Sequence, residues 1–227
     1  MRRFNYYLPI VFQKIAYVVF FLLYKLFVKI EIRGKEHLLG ISRPIILTPN
    51  HTHELDVTAI PLVLPFFSSF LPIYFVANST EKYKTFGWRS YIYGGVFFNL
   101  LGGYAVYSGH KNYAISLDNH IRLLRKKQTI CIFPEGKRTR DGQLNPARGG
   151  LGYLVHTTGA TVVPIAIDTF FNMSVWDFFT RRRKVIITVC TPIPALSFEI
   201  MTKQNPTVDD YRGVGERVLQ MINEVLS

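Results

Sequence analysis

Cysteine is nearly absent. Cys131 and Cys190 sit inside the apolar β-branched runs TICIF and IITVC, with no CxxC pair and no His-rich spacing around them. That argues against a disulfide framework or a thiolate zinc site, and it reads as two reduced, buried thiols in a cytosol-facing domain. Acids are scarce as well, with 15 Asp and Glu against 27 Lys and Arg, a formal charge of +12. The partner is therefore expected to be anionic, whether phospholipid headgroups, a phosphorylated small molecule or nucleic acid. No RNP-type, zinc-finger or helix-turn-helix pattern occurs, so nucleic acid has no further support. There is no GxSxG elbow to seat a serine nucleophile. No repeat, low-complexity tract or Pro/Ser-rich linker divides the 227 residues, so one compact domain with a terminal appendage is expected.

Aromatic residues are abundant, with 18 Phe and 13 Tyr, and such amphipathic rings suit a membrane surface. The N-terminal run IAYVVFFLLY, residues 15–24, is bracketed by Lys14 and Lys25. A spanning helix needs about 20 apolar residues, so a simple crossing is disfavoured. Lys14, Lys25 and Lys29 fall near one helical azimuth, from which they can snorkel to headgroups while rings enter the acyl boundary. Residues 1–29 are thus read as an interfacial or shallowly inserted anchor, and residues 30–227 as the main domain. Two alternatives stand beside it. A buried core helix has the same composition, and a secretory signal has the basic start Arg2-Arg3 but lacks a small-residue cleavage site here.

Further along, KIEIRG, RPIILTPN, IYFVAN, GGYAVYSG (at 104–107), TICIF, TVVPIAI and KVIITVC read as strands. Helical spacing appears over 54–64, where Pro61 shortens or kinks the element, and over 88–101, 148–158 and the C-terminal tail. Residues 111–127 place Tyr113, Leu117, Ile121 and Leu124 on one face and basic residues at the far end. The alternation predicts an α/β fold, a single layered domain with a mostly parallel central sheet flanked by helices. In such sheets ligands gather beyond the carboxyl ends of the strands.

Two polar loops leave such ends. NHTHELD follows PIILTP, and FPEGKRTRDG follows TICI. Three readings of the first compete. His51, His53 and Asp56 resemble a metal-ligand set, but Asp56 is one position late and no His follows it. Asn50 or Thr52 serves as a helix cap in the structural alternative. In the third reading His51 is a general base oriented by Asp56, which requires a turn before the helix because five residues separate them. The second loop favours this one. Lys137, Arg138 and Arg140 beside Gly136 offer a phosphate clamp, with the alternative of a basic surface turn.

At these loops the chain resembles the PlsC-like glycerolipid acyltransferase family, which includes 1-acylglycerol-3-phosphate acyltransferases. The family signature NHxxxxD is matched by Asn50-His51-Thr52-His53-Glu54-Leu55-Asp56, and the FPEGxRS-type block by Phe133-Pro134-Glu135-Gly136-Lys137-Arg138-Thr139. A proline-containing apolar strand is matched by Val162-Val163-Pro164-Ile165, and the resemblance spans roughly residues 30–195. It implies acyl transfer from acyl-CoA or acyl-carrier protein, as co-substrate without a further cofactor or metal, to a lysophospholipid hydroxyl. His51 and Asp56 would be catalytic, with Glu135, Gly136, Lys137 and Arg138 at the acceptor and His53 and Glu54 at the rim. The acceptor implied is 1-acylglycerol-3-phosphate, and the setting is the cytoplasmic face of an anionic membrane. One departure bears on the acceptor. Where family members carry GxIFI(D/N)R, Tyr107 and Ser108 stand here, with His110 or Lys111 as shifted cations. A different lyso-lipid acceptor remains open, as does a metal-dependent hydrolase from another class. The basic aromatic stretch WDFFTRRRK, residues 176–184, reads as a second membrane contact, a coenzyme contact or an exposed connection.

Overall fold

The computed structural model describes residues 7–77, 99–106, 112–168 and 170–227. Short β-branched runs between turn signals pair into one sheet whose strands are β1 (Lys29–Arg33), β2 (Ile45–Pro49), β3 (Ile73–Ala77), β4 (Gly103–Ala105), β5 (Thr129–Cys131), β6 (Thr161–Asp168) and β7 (Lys184–Val189). Their order is β1-β7-β6-β2-β5-β3-β4, and among the described residues only the β6–β7 pairing is antiparallel. Every residue of β2 is buried, as in a strand covered on both faces.

The period-two alternation divides the sheet between two cores. Ile46, Ile130 and Val162 face one of them. There they meet Leu123 and Leu124 of helix α4 (Asp118–Arg125), Leu154 of α5 (Gly150–Thr158) and Val218 and Ile222 of α7 (Val208–Leu226). Each such burial stabilises by about 1.5–3 kcal/mol. Helix α7 starts where Thr207 and Asp210 cap each other's backbone amides. It can lie close to α5 because Gly152 has no side chain, and a Cβ there would meet the backbone oxygen and Cα of Tyr211. Ile45, Leu47, Val163 and Ile165 face the other core, with Tyr24 of α1 (Tyr7–Phe27), Ile60 and Phe170.

The expected 54–64 helix is only one turn, α2 (Asp56–Ala59), followed by a 3-10 turn over Ile60–Val63 with Pro61 near its start. A proline lacks the amide that would continue the α-helix. The 111–127 helix is split into α3 (Tyr113–Ser116), capped by Asn112, and α4, because Leu117 leaves helical geometry at φ −110°. Most of the 88–101 expectation, and Tyr107, Ser108, His110 and Lys111, lie outside the described residues.

Helix α1 is uncovered on its apolar side. Val11, Ile15, Val18, Val19, Leu22 and Leu26 are exposed, whereas Gln13, Tyr17 and Tyr24 face the body. Its stretch Leu8–Phe27 has a mean hydropathy of 1.8, is long and apolar enough to cross a membrane, and is 11% buried, so it is not a buried core helix. The inward side bonds to the sheet. The Gln13 amide accepts from Ile73 N at 2.9 Å and donates to the carbonyls of Ile73 and Leu101. Lys14 is not turned outward with Lys25, because its ammonium lies over the Phe66 and Phe67 rings, 5.2 Å from each centroid.

Candidate active site

The carboxyl ends of β6, β2 and β5 lie side by side, so the loops after them share one edge of the sheet. Asn50 starts the β2 loop and is 1% exposed. Its side chain pairs with Ile167 as a strand residue would, accepting from the amide at 2.7 Å and donating to the carbonyl at 2.9 Å. It does not cap a helix. The next residues turn back, with Asp56 N donating to His53 O, and this turn returns Asp56 to His51.

Asp56 is fully buried, yet its carboxylate is satisfied. Oδ2 accepts from the amides of Thr52 at 2.7 Å and His53 at 2.8 Å, and lies 3.0 Å from His51 Nδ1. Oδ1 takes the Thr52 hydroxyl at 3.3 Å. A carboxylate can only accept, so the network assigns the ring proton to Nδ1 and leaves Nε2 with its lone pair. The ring is 18% exposed and stacks on Phe133, with centroids 4.0 Å apart and planes at 26°. Two contacts therefore fix it, one at an edge and one across a face.

Glu135 is 1% exposed and holds loops together. Oε1 accepts from His51 N at 2.8 Å, and Oε2 accepts from Asn145 N at 2.7 Å and Asn145 Nδ2 at 2.9 Å. Gly136 follows in the left-handed region at φ +66°, where a Cβ would meet Arg148 Cδ at 2.6 Å, so the arginine stem lies across the glycine. Lys137, Arg138 and Arg140 line a cleft of about 760 Å³ with Thr52, His53 and the segment Phe171–Ser174. Arg138 Nη1 lies 2.9 Å from Glu54 Oε1, both side chains being about half exposed. His53 Nδ1 accepts from Leu55 N at 3.2 Å, and burial lowers the pKa of that ring.

The structure thus brings His51 and Asp56 into contact and places Lys137 and Arg138 on the adjoining cleft wall. His51, Glu135 and Gly136 are not among the residues that line it: Glu135 is buried beneath the loop, and Gly136 is exposed beside the cleft. Sequence reasoning passed over the clamp by Asn50, the stacking of Phe133 and the part of Asn145. The first two stand inside the quoted blocks, while nothing near Asn145 signals its role. Among the described residues no three His, Cys, Asp or Glu side chains are grouped to hold a metal ion. Cys131 and Cys190 are free and buried, and burial pushes both thiols up, which leaves them poor nucleophiles.

Fold and site together define an α/β protein with a His–Asp dyad at the carboxyl edge of a mostly parallel sheet, beside a cationic cleft. The chain belongs to the Acyltransferase family, whose profile matches residues 29–168. It is 29% identical to the chloroplastic 1-acyl-sn-glycerol-3-phosphate acyltransferase LPAT1 of Arabidopsis thaliana, over 62% of this chain and 36% of that protein. It is 23% identical to 1-acyl-sn-glycerol-3-phosphate acyltransferase alpha of Homo sapiens, over 84% of this chain and 61% of that one. The match therefore spans between about a third and three fifths of these relatives. Among solved structures, the 1-acyl-sn-glycerophosphate (LPA) acyltransferase PlsC from Thermotoga maritima shares the fold. Its TM-score is 0.61 at 21% identity, covering 95% of this chain and 79% of that one.

Proposed function

We propose that the protein transfers a fatty acyl group from acyl-CoA or acyl-carrier protein to the free hydroxyl of a lysophospholipid, with 1-acylglycerol-3-phosphate as the leading acceptor and phosphatidic acid as product. The observation that carries this reading is the His51 Nδ1–Asp56 Oδ2 contact of 3.0 Å next to the Lys137 and Arg138 cleft. His51 Nε2 takes the hydroxyl proton as the oxygen attacks the thioester carbonyl, and buried Asp56 stabilises the imidazolium. Collapse of the tetrahedral intermediate breaks the C–S bond. The departing thiolate then takes the proton from His51, and the dyad is restored without a covalent acyl-enzyme or a cofactor beyond the thioester.

Arg138, with Lys137 beside it, holds the acceptor phosphate, exchanging the exposed Glu54 carboxylate for a doubly charged ligand. Glu135 shapes the site from below by holding His51, and the exposed Gly136 leaves room for the Arg148 stem. Residues 1–29 act as the membrane-associating segment and residues 30–227 as the catalytic domain. The uncovered apolar side of α1, with Lys25 and Lys29, suits the surface of an anionic bilayer, and the cytoplasmic face is the setting we assign.

An acyl-transfer assay over lyso-lipids with and without a phosphomonoester, using acyl-CoA and acyl-carrier protein in turn, tests the reading. Phosphatidic acid should form fastest. Preference for a zwitterionic acceptor would reassign the acceptor, and release of free fatty acid in place of transfer would overturn the mechanism.

A further inference from the structure

The wall of the cleft continues into an uncovered apolar helix. Phe171–Ser174 line the cleft, and Ser174 then caps α6 (Val175–Phe179), its hydroxyl accepting from Asp177 N at 3.0 Å while the Asp177 carboxylate accepts from Ser174 N at 3.1 Å. A reciprocal cap of this kind fixes where the helix begins. Phe178 turns inward, its ring centroid 6.0 Å from that of Tyr24. Val175, Trp176 and Phe179 do not follow it, and are 75%, 65% and 52% exposed. Three large apolar side chains on a five-residue helix form a patch more than half exposed.

That patch adjoins the apolar side of α1. The Phe179 ring meets Phe27 edge to face with centroids 5.0 Å apart, and Phe27 follows directly on the exposed Leu26. Cations lie beside it. Arg181 and Arg182 are exposed, and among the described residues no hydrogen bond or ion pair engages either one. Arg183 is different, because its Nη1 donates to Phe171 O at 2.6 Å and so ties the basic run back to the cleft wall.

We infer that α6 is a second membrane contact, which together with α1 seats the mouth of the cleft against an anionic bilayer, so that the lysophospholipid acceptor enters from the lipid. The inference rests on the acyltransferase reading above. Tryptophan flanked by arginines is suited to the headgroup region, where the indole sits at the apolar boundary and the guanidinium groups meet phosphates. The bare charge of +12 favours an anionic surface over a neutral one. Because the rim residue Ser174 is also the cap of α6, a lipid surface touching Val175 and Trp176 begins one residue from the cleft.

The test uses the full chain carrying Trp88→Phe, so that Trp176 is the sole indole reporter. With vesicles of phosphatidylcholine and phosphatidylglycerol, its emission should shift to the blue and be quenched by brominated lipid. Pure phosphatidylcholine should give much less. The triple variant Val175→Ser, Trp176→Ser, Phe179→Ser should lose about tenfold in activity toward lysophosphatidic acid held in vesicles. Its turnover of a short-chain, monomeric lysophosphatidic acid should be unchanged. An unshifted Trp176 on vesicles that do bind the protein would assign attachment to α1 alone and overturn the inference. So would equal losses on monomeric and vesicle-held acceptors, which would place α6 in coenzyme binding. If the parent turns over no monomeric acceptor, the acyltransferase reading itself fails, and the Trp176 emission still decides the contact independently.

Discussion

The carboxylate of Glu135 accepts the backbone amide of His51 at 2.8 Å, across 84 residues of sequence. The FPEG loop therefore supports the histidine from behind, while Phe133 of the same loop supports its ring from one face. The two blocks form one structure, and several expectations follow from how its parts bear on one another.

Substituting the base separates chemistry from folding. His51→Ala removes a partly exposed ring, so the protein should remain folded by circular dichroism and thermal melting. Acyl transfer should fall by about 10²–10⁴. Asp56→Ala differs, because it strands the His51 ring and the amides of Thr52 and His53, at about 1–3 kcal/mol for each unmet buried donor. It should lose both activity and melting temperature, and a stable Asp56→Ala protein would contradict the buried network.

Glu135→Gln is expected to act through the backbone. One of its two oxygens becomes an amide nitrogen facing donors, so stability should drop by about 1–3 kcal/mol, and kcat should fall with it as His51 loosens. A raised acceptor KM with unchanged stability would instead show that this carboxylate touches substrate.

Arg138→Ala and Glu54→Gln should move the acceptor KM in opposite directions. Losing the cation should raise it by about tenfold, the scale of one charge-assisted hydrogen bond. Losing Glu54 frees the guanidinium and should lower KM. Neither should alter stability by more than about 1 kcal/mol, since the pair is exposed. Steady-state kinetics at varied acceptor and a denaturant melt check both claims.

His120 gives the fold a pH dependence of its own. It is fully buried, its Nε2 meets Tyr104 O at 3.2 Å, its Nδ1 has no hydrogen-bond partner among the described residues, and burial lowers its pKa to about 4. Between about pH 6.5 and 4 the unfolded chain binds a proton that the folded one refuses, so stability should fall as pH drops through that window, by about 1.4 kcal/mol per unit for one proton. Urea unfolding across the window should show this slope, and His120→Phe should flatten it relative to the parent.

Much of this was legible in the chain itself. Strands such as IILTP and TVVPIAID stand out because apolar β-branched runs are cut by prolines and polar turns, and His51 pairs with Asp56 because the intervening turn is local. Contacts between distant loops were not legible. Nothing around Glu135 says that its partners are His51 and Asn145, and nothing around Asn50 says that it completes a ladder with Ile167, 117 residues away. Strand direction escaped as well. The run KVIITV reads the same whether it lies parallel or antiparallel to β6, and only the path of the preceding segment decides it. The break at Leu117 falls inside an apolar periodicity that is otherwise continuous.

Gln13 spends both ends of its amide on Ile73 at the start of β3, with a further donor bond to Leu101 O, so donor and acceptor together hold its helix to the sheet. Helix α1 is keyed to the sheet like a shaft to a wheel. A surface that takes the outer side of α1 is thus one side chain away from the sheet that carries His51. Position 13 thereby ties the exposed helix to the same sheet from whose strand end the His51 loop leaves.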